Sequence, residues 1–155
     1  LLKEAGLAGV AAQKLSIKIE GDTRPPAGAA TATDIVNRHL LFAIRHHDVP
    51  SLMAGKIHVL IARRYPKGRD WFDLIWYRAR RPPVETNQTL LKNALDQTEG
   101  RGAYDAARWR ELVRKRFAML DAVALQADVS PFLERPEEAG CMTDGNIESL
   151  LKDGR

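Results

Sequence analysis

One cysteine, Cys141, stands in a chain of 155 residues. It can form no internal disulfide, which excludes a disulfide-stapled secreted scaffold and fits a reducing cytoplasm. Nor is it surrounded by the spacing of a catalytic thiol, so an incidental small residue near the C-terminus is the plainer reading. No apolar run approaches the ~18 residues of a membrane span, and no basic-then-apolar signal segment opens the chain. Internal repeats and low-complexity tracts are missing, which excludes solenoids and linker-like arrays. His39, His46, His47 and His58 fall at no zinc spacing. His46 and His47, being adjacent, belong to opposite sides of a strand, which argues against a structural zinc.

What is present is ordinary for a soluble domain: 45% hydrophobic and 28% charged residues, with a length that allows a real core. The net charge of +4, from 24 Lys and Arg against 20 Asp and Glu, permits an anionic ligand such as a nucleotide or RNA without requiring one. The chain begins Leu1-Leu2-Lys3 without methionine, so a start further upstream is expected.

Leu15 to Glu20 alternates apolar and polar residues, the period of a strand. Residues 21–33, with Pro25-Pro26 and Gly28, read as a loop, and residues 34–45 as mostly strand. From Asp48 the period becomes helical. Leu52, Met53, Ile57, Leu60 and Ile61 mark a helix over 49–64, with Asp48 as its cap and Pro50 in its first turn. Tyr65 to Arg69 is a turn. A second helix is expected over 70–80, burying Phe72, Ile75, Trp76 and Ala79, and stopped by Pro82-Pro83. Further helices fit 87–98, 104–125 and 143–151, with Ser130 to Leu133 a turn that docks an apolar plug. Strands followed by helices make an α+β chain, mostly α.

Lys56 is the residue most at odds with its surroundings, a cation inside an otherwise apolar helix, and such a charge needs a partner. Lys56 and Arg63 lie two turns apart on one face. Ala54 and Gly55 keep the neighbouring surface small, and Lys67 and Arg69 crown the following loop. Convergent cations suit a polyphosphate; a lysine that snorkels to water among surface arginines is the other possibility. Asp70 and Asp73 share one face of the next helix. They either contact a nucleotide, a metal-bound water or Lys56, or serve as that helix's N-cap and its third-position partner. Trp71, Phe72, Trp76 and Tyr77 read as core and helix contact rather than a base-stacking platform.

The order of these features resembles the AbiEii/AbiGii-type nucleotidyltransferase toxins. The similarity lies in the strand ending Lys18-Ile19-Glu20 and in Ala54-Gly55-Lys56-Ile57-His58. It continues through the basic turn with Arg69-Asp70-Trp71-Phe72-Asp73, and through Leu91 to Leu95 and Val129 to Leu133, spanning roughly residues 14–135. The resemblance implies that Lys56 is the lysine that binds a nucleoside triphosphate and Asp70 the late catalytic acid. By the same resemblance Glu20 is the third metal carboxylate beside magnesium, while the convergence of Arg63, Lys67, Arg69 and Asp73 on Lys56 makes them the candidates that line the nucleotide. The implied reaction moves a nucleotide from a triphosphate to an acceptor hydroxyl, with RNA ends as plausible acceptors and a cognate antitoxin protein as partner. It also implies two parts: residues 1–47 as a remnant of the nucleotidyltransferase-type sheet, and 48–155 as a helical C-terminal domain.

The chain departs from the family in one respect. The Gly-Ser and Asp-x-Asp that open such enzymes occur nowhere in it, and its only acid-x-acid pair is Glu20-Gly21-Asp22. The expectation is a C-terminal portion that transfers no nucleotide alone. The alternatives are a non-catalytic helical module that binds a nucleotide or antitoxin, and a purely structural helical domain.

Overall fold

A computed structural model describes residues 18–152 as a short β-hairpin followed by a helical bundle. Strands β1 (Thr31–Asn37) and β2 (Leu41–His47) pair antiparallel, from Thr31 opposite His47 to Asn37 opposite Leu41. The single strand-like stretch expected over 34–45 is therefore two strands about a turn at Arg38 to Leu40. That turn carries no glycine or proline, so the alternation runs through it unmarked. Ile35 and Leu41 are exposed on one face of this ribbon, Phe42 and Ile44 on the other. Lys18 to Glu20 form no strand, contrary to the alternation of 15–20; the first three residues of that segment lie outside the described ones.

Helix α1 (Val49–Ala62) begins as its sequence indicates, with the Asp48 carboxylate accepting from the Ser51 amide and proline in the first turn. Helix α2 (Gly68–Ala79) differs from expectation in both its start and its face. Its N-terminus is capped from far along the chain, where Asp128 Oδ2 accepts from the Gly68 amide at 2.7 Å. Its buried residues are Trp71, Leu74, Asp70 and Arg78, while Trp76 and Ala79 are exposed and Phe72 and Ile75 only flank the core. Two charged residues on the inward face disguised it: Arg78 is buried because its guanidinium donates to the Leu150 carbonyl and lies 5.9 Å from the Trp109 ring.

Helix α3 (Gln88–Glu99) is capped by Asn87 and buries Leu90, Leu91, Ala94 and Leu95 as its periodicity predicts. The chain between Asp22 and Ala30 lies along it. Side-chain amides of Asn87, Asn93 and Gln97 donate to the carbonyls of Gly28, Ala27 and Arg24, each within 2.9 Å. Gly28 adopts φ of 101°, and a Cβ there would meet Thr89 at 2.8 Å.

The long helix expected over 104–125 is broken. Asp105 caps a short 3-10 turn (Ala106–Arg108), α4 spans Trp109–Phe117, and Asp121 caps α5 (Ala122–Val129) by accepting from the amides of Val123 and Ala124. Two acids that read as helix interior are thus caps, and Val123 is exposed. Ser130 to Phe132 form a 3-10 turn from which Leu133, not the exposed Phe132, packs on the core. Helix α6 (Asp144–Leu151) is capped by Thr143.

All six α-helices of the described residues contribute to one core. It joins Met53, Ile57 and Leu60 of α1 to Trp71 and Leu74 of α2, Leu91 and Leu95 of α3, and Trp109, Val113 and Phe117 of α4. Leu125 and Val129 of α5 and Ile147 and Leu151 of α6 close it. Trp71 meets Phe117 edge-to-face with centroids 5.0 Å apart. The fold is α+β and mostly helical, and among the described residues no helix is long and apolar enough to cross a membrane.

Gly68 is the tightest point of this packing: an added Cβ would overlap the Leu125 carbonyl oxygen and lie 3.1 Å from the Val129 nitrogen. Backbone cannot give way as a side-chain tip can. Gly68→Ala should therefore destabilise the chain by about 2–3 kcal/mol. Gly55→Ala, where a Cβ meets nothing within 4 Å, should be neutral or slightly stabilising. Urea denaturation of the two variants checks the contrast.

Candidate functional site

The sequence places Lys56 on α1 and the two aspartates on the first turns of α2, and the short 63–67 connection folds one helix back against the other. The pairing shows the antiparallel sense directly. Arg63, near the end of α1, meets Asp70, and Lys56, two turns earlier, reaches both Asp70 and the more distant Asp73.

Lys56 Nζ lies 2.8 Å from Asp70 Oδ1 and 2.8 Å from Asp73 Oδ2, while the other Asp70 oxygen accepts from the Arg63 guanidinium. Asp70 is buried, at 5% exposure, whereas Asp73 is half-exposed. The stem of Lys56 is largely covered. Of the two readings of the lysine, the snorkelling one fails: the ammonium is directed to carboxylates. Of the two readings of Asp70, the N-cap fails, since Asp128 occupies that role from α5.

One further contact holds the site in place. Arg116 of α4 donates to the Arg63 carbonyl at 3.0 Å, closing the end of α1. Burial by itself would lower the pKa of Lys56. The hydrogen bonds it donates to Asp70 and Asp73, with the charges of both carboxylates, outweigh it and hold the ammonium above its ordinary value of 10.5. Lys56 is thus charged at neutral pH. An ammonium has three donors and two are engaged here; the guanidinium of Arg63 likewise retains free N–H groups.

The remaining sequence candidates lie around this centre rather than in it. Lys67 is exposed at the end of the turn and Arg69 in the first turn of α2, where it leans toward Phe132, 5.9 Å from its ring. Glu20 is exposed and paired with Lys18. Ala54 belongs to the core, and Gly55 lines a cavity of about 310 Å³ on a neighbouring face of α1, together with His58, Ser51 and Leu90. His58 bonds Thr98 at 2.9 Å, and burial lowers its pKa. His46 bonds Asp34 on the hairpin at 3.0 Å.

Tyr77, read from the sequence as core and helix contact, packs against the core and also feels the charges of the site. It lies one turn beyond Asp73 on α2, half-buried, and burial with the Asp73 charge raises its pKa. The signal was the i, i+4 spacing from Asp73. Trp76, by contrast, was placed in the core by the sequence and is exposed in the structure.

The two aspartates differ in what their loss should cost. Asp70→Asn leaves two cations beside a buried neutral amide and should destabilise by about 3 kcal/mol. Asp73→Asn, at a half-exposed pair, should cost under about 1 kcal/mol. Equal effects in chemical denaturation would contradict the central role of Asp70. The pH dependence has a definite sign. Because the folded pKa of Lys56 lies above 10.5, its stabilising charge is complete below that pH and is lost as pH rises through the folded value. The stability gap between wild type and Lys56→Met should stay flat from about pH 6 to pH 9 and close at more alkaline pH.

A family model described as "Nucleotidyl transferase AbiEii toxin, Type IV TA system" matches residues 4–140, a span that contains the whole cluster. No curated protein and no solved structure matches the chain at a significant level.

Proposed function

The chain belongs to the AbiEii nucleotidyl transferase toxin family of type IV toxin–antitoxin systems, and from that premise we propose that Lys56 and Arg63 bind the phosphates of a nucleoside triphosphate. The observation that carries this reading is the double pairing of Lys56 Nζ with Asp70 and Asp73, at 2.8 Å each. A lysine held by two carboxylates is fixed in direction and kept protonated, and its third donor is left for a ligand. Asp70 acts as the positioning residue, because it is buried and binds both cations. Asp73, half-exposed, is the partner that a phosphate oxygen can replace. Lys67 and Arg69 add positive potential at the rim.

In the transfer itself an acceptor hydroxyl oxygen bonds to the α-phosphorus, the bond to the bridging oxygen breaks, and pyrophosphate leaves. The hydroxyl proton passes to a base or to water. Lys56 and Arg63 neutralise the charge that builds on the departing pyrophosphate. An RNA end is the acceptor this reading favours, a cognate antitoxin is the protein partner, and the lone Cys141 fits a cytoplasmic setting.

Magnesium, implied by the family, would supply charge to the phosphates when bound. The described residues do not fit it. Asp70 and Asp73 are already tied to Lys56 and Arg63, and Glu20 pairs with Lys18 in the open. Among the described residues no group of three or more His, Cys, Asp or Glu is arranged to hold a metal. In this reading the described residues contribute phosphate binding. With both aspartates tied to cations, a module that binds nucleotide or antitoxin without catalysis is the second reading.

Titration calorimetry at low ionic strength tests the proposal. Lys56→Ala should weaken nucleoside triphosphate binding about tenfold or more, since a desolvated charge-assisted hydrogen bond is lost. Lys67→Ala should change it by less than about threefold, because an exposed charge is screened. Equal effects, or no binding by the wild-type chain, would leave the cluster a structural ion pair.

A further inference from the structure

Helix α2 presents two different faces. Trp71, Leu74 and Arg78 enter the core. Asp73, Trp76, Tyr77 and Arg80 follow at i, i+3, i+4 and i+7, so they form one stripe along the outer side. The stripe starts at the ion cluster, because Asp73 holds Lys56, and runs up to two helical turns away from it.

Its centre is an organised aromatic surface. The indole of Trp76 meets the Tyr77 ring edge-to-face, with centroids 5.0 Å apart and an interplanar angle of 78°. The Arg80 guanidinium lies 4.7 Å from an indole ring centroid. Trp76 nevertheless remains 52% exposed, whereas Trp71 and Trp109 are 1% and 0% exposed. An indole steadied by two neighbours, with half its surface in water and a guanidinium over it, has the composition of a stacking platform for a heterocyclic base. Tyr77 links this platform to the cations: it packs against the core and feels the charges of both Asp73 and Lys56.

We infer that this ledge receives the base of the nucleoside triphosphate, stacked on Trp76 with Arg80 replaced over the ring or sharing it, while the phosphates extend toward Lys56 and Arg63. The inference rests on the triphosphate reading of Lys56 and adds to it the place of the base. Stacking tolerates any base, so the ledge supplies affinity and orientation rather than choice among nucleotides.

The burial of the other two tryptophans makes the test direct, since the chain has three and Trp76 alone is exposed. Intrinsic fluorescence of the full chain is followed, with excitation at the red edge of the indole band, while a nucleoside triphosphate or inorganic tripolyphosphate is added. The nucleotide should quench and tripolyphosphate should not, although calorimetry shows both to bind. Trp76→Ala should weaken nucleotide binding about tenfold and leave tripolyphosphate binding within about twofold. Trp76→Phe should restore most of the affinity without the fluorescence signal. Nucleotide binding that leaves Trp76 fluorescence unchanged, or an alanine effect equal for both ligands, would overturn the inference while leaving the phosphate site standing. So would quenching by a short single-stranded oligoribonucleotide that the triphosphate does not displace, which would assign the ledge to an acceptor strand. Failure of both ligands to bind would remove the Lys56 reading itself, and the inference with it.

Discussion

The buried carboxylate of Asp70 is the constraint around which this structure is arranged. A carboxylate at 5% exposure is tolerable only when its charge is matched and its oxygens are hydrogen-bonded. Both conditions are met from α1, by Lys56 on one oxygen and Arg63 on the other. The two cations stand two helical turns apart, so satisfying Asp70 fixes the register and the antiparallel sense of α1 against α2. The same first turn of α2 is held from its other side, where Asp128 accepts from the Gly68 amide and α5 packs too closely to admit a Cβ. Arg116 then secures the end of α1 from α4. Four helices thus meet at one short stretch of chain, residues 63–73.

This concentration of constraints suits the phosphate-binding role proposed for Lys56. A free lysine side chain has many rotamers, and ordering it on ligand binding costs free energy that subtracts from affinity. Here the folded protein has already done the ordering. The asymmetry between the two acids matters equally: the buried one cannot leave without unpairing two cations, whereas the half-exposed Asp73 can yield to a phosphate oxygen. In the proposed reading, structure and ligand binding draw on the same ion cluster through different members of it. The outer stripe of α2 extends from the exposed member, so a ligand that displaces Asp73 already lies beside Tyr77 and Trp76.

Much of this was legible from local chemistry. The starts of α1, α3 and α6 follow from Asp48, Asn87 and Thr143, residues that bond their own first turns. Lys56 was legible because a lone cation in an apolar helix demands a partner. The breaks around Asp105 and Asp121 were written in cap residues too, but an apolar periodicity running through them concealed the signal. The inward face of α2 was concealed for the opposite reason, since Asp70 and Arg78 are polar and yet buried, while Trp76 is aromatic and yet exposed. Glu20 shows another limit. Alternation proposes a strand there, but pairing requires a neighbour, and Lys18 to Glu20 have none among the described residues.

The sequence by itself determined the family and the mostly helical α+β class, and it singled out Lys56, Asp70 and Asp73 as candidates without deciding that they pair. These depend on residue types and on spacings within one or two helical turns, where geometry is nearly fixed by the backbone. Only the tertiary structure decided which acid is buried, that Arg63 shares it with Lys56, that Asp128 rather than Asp70 caps α2, and that Trp76 faces water. Each of these turns on groups brought together from separate helices, up to 60 residues apart in the chain, where the burial of one side chain is settled by what packs against it and not by its neighbours in sequence.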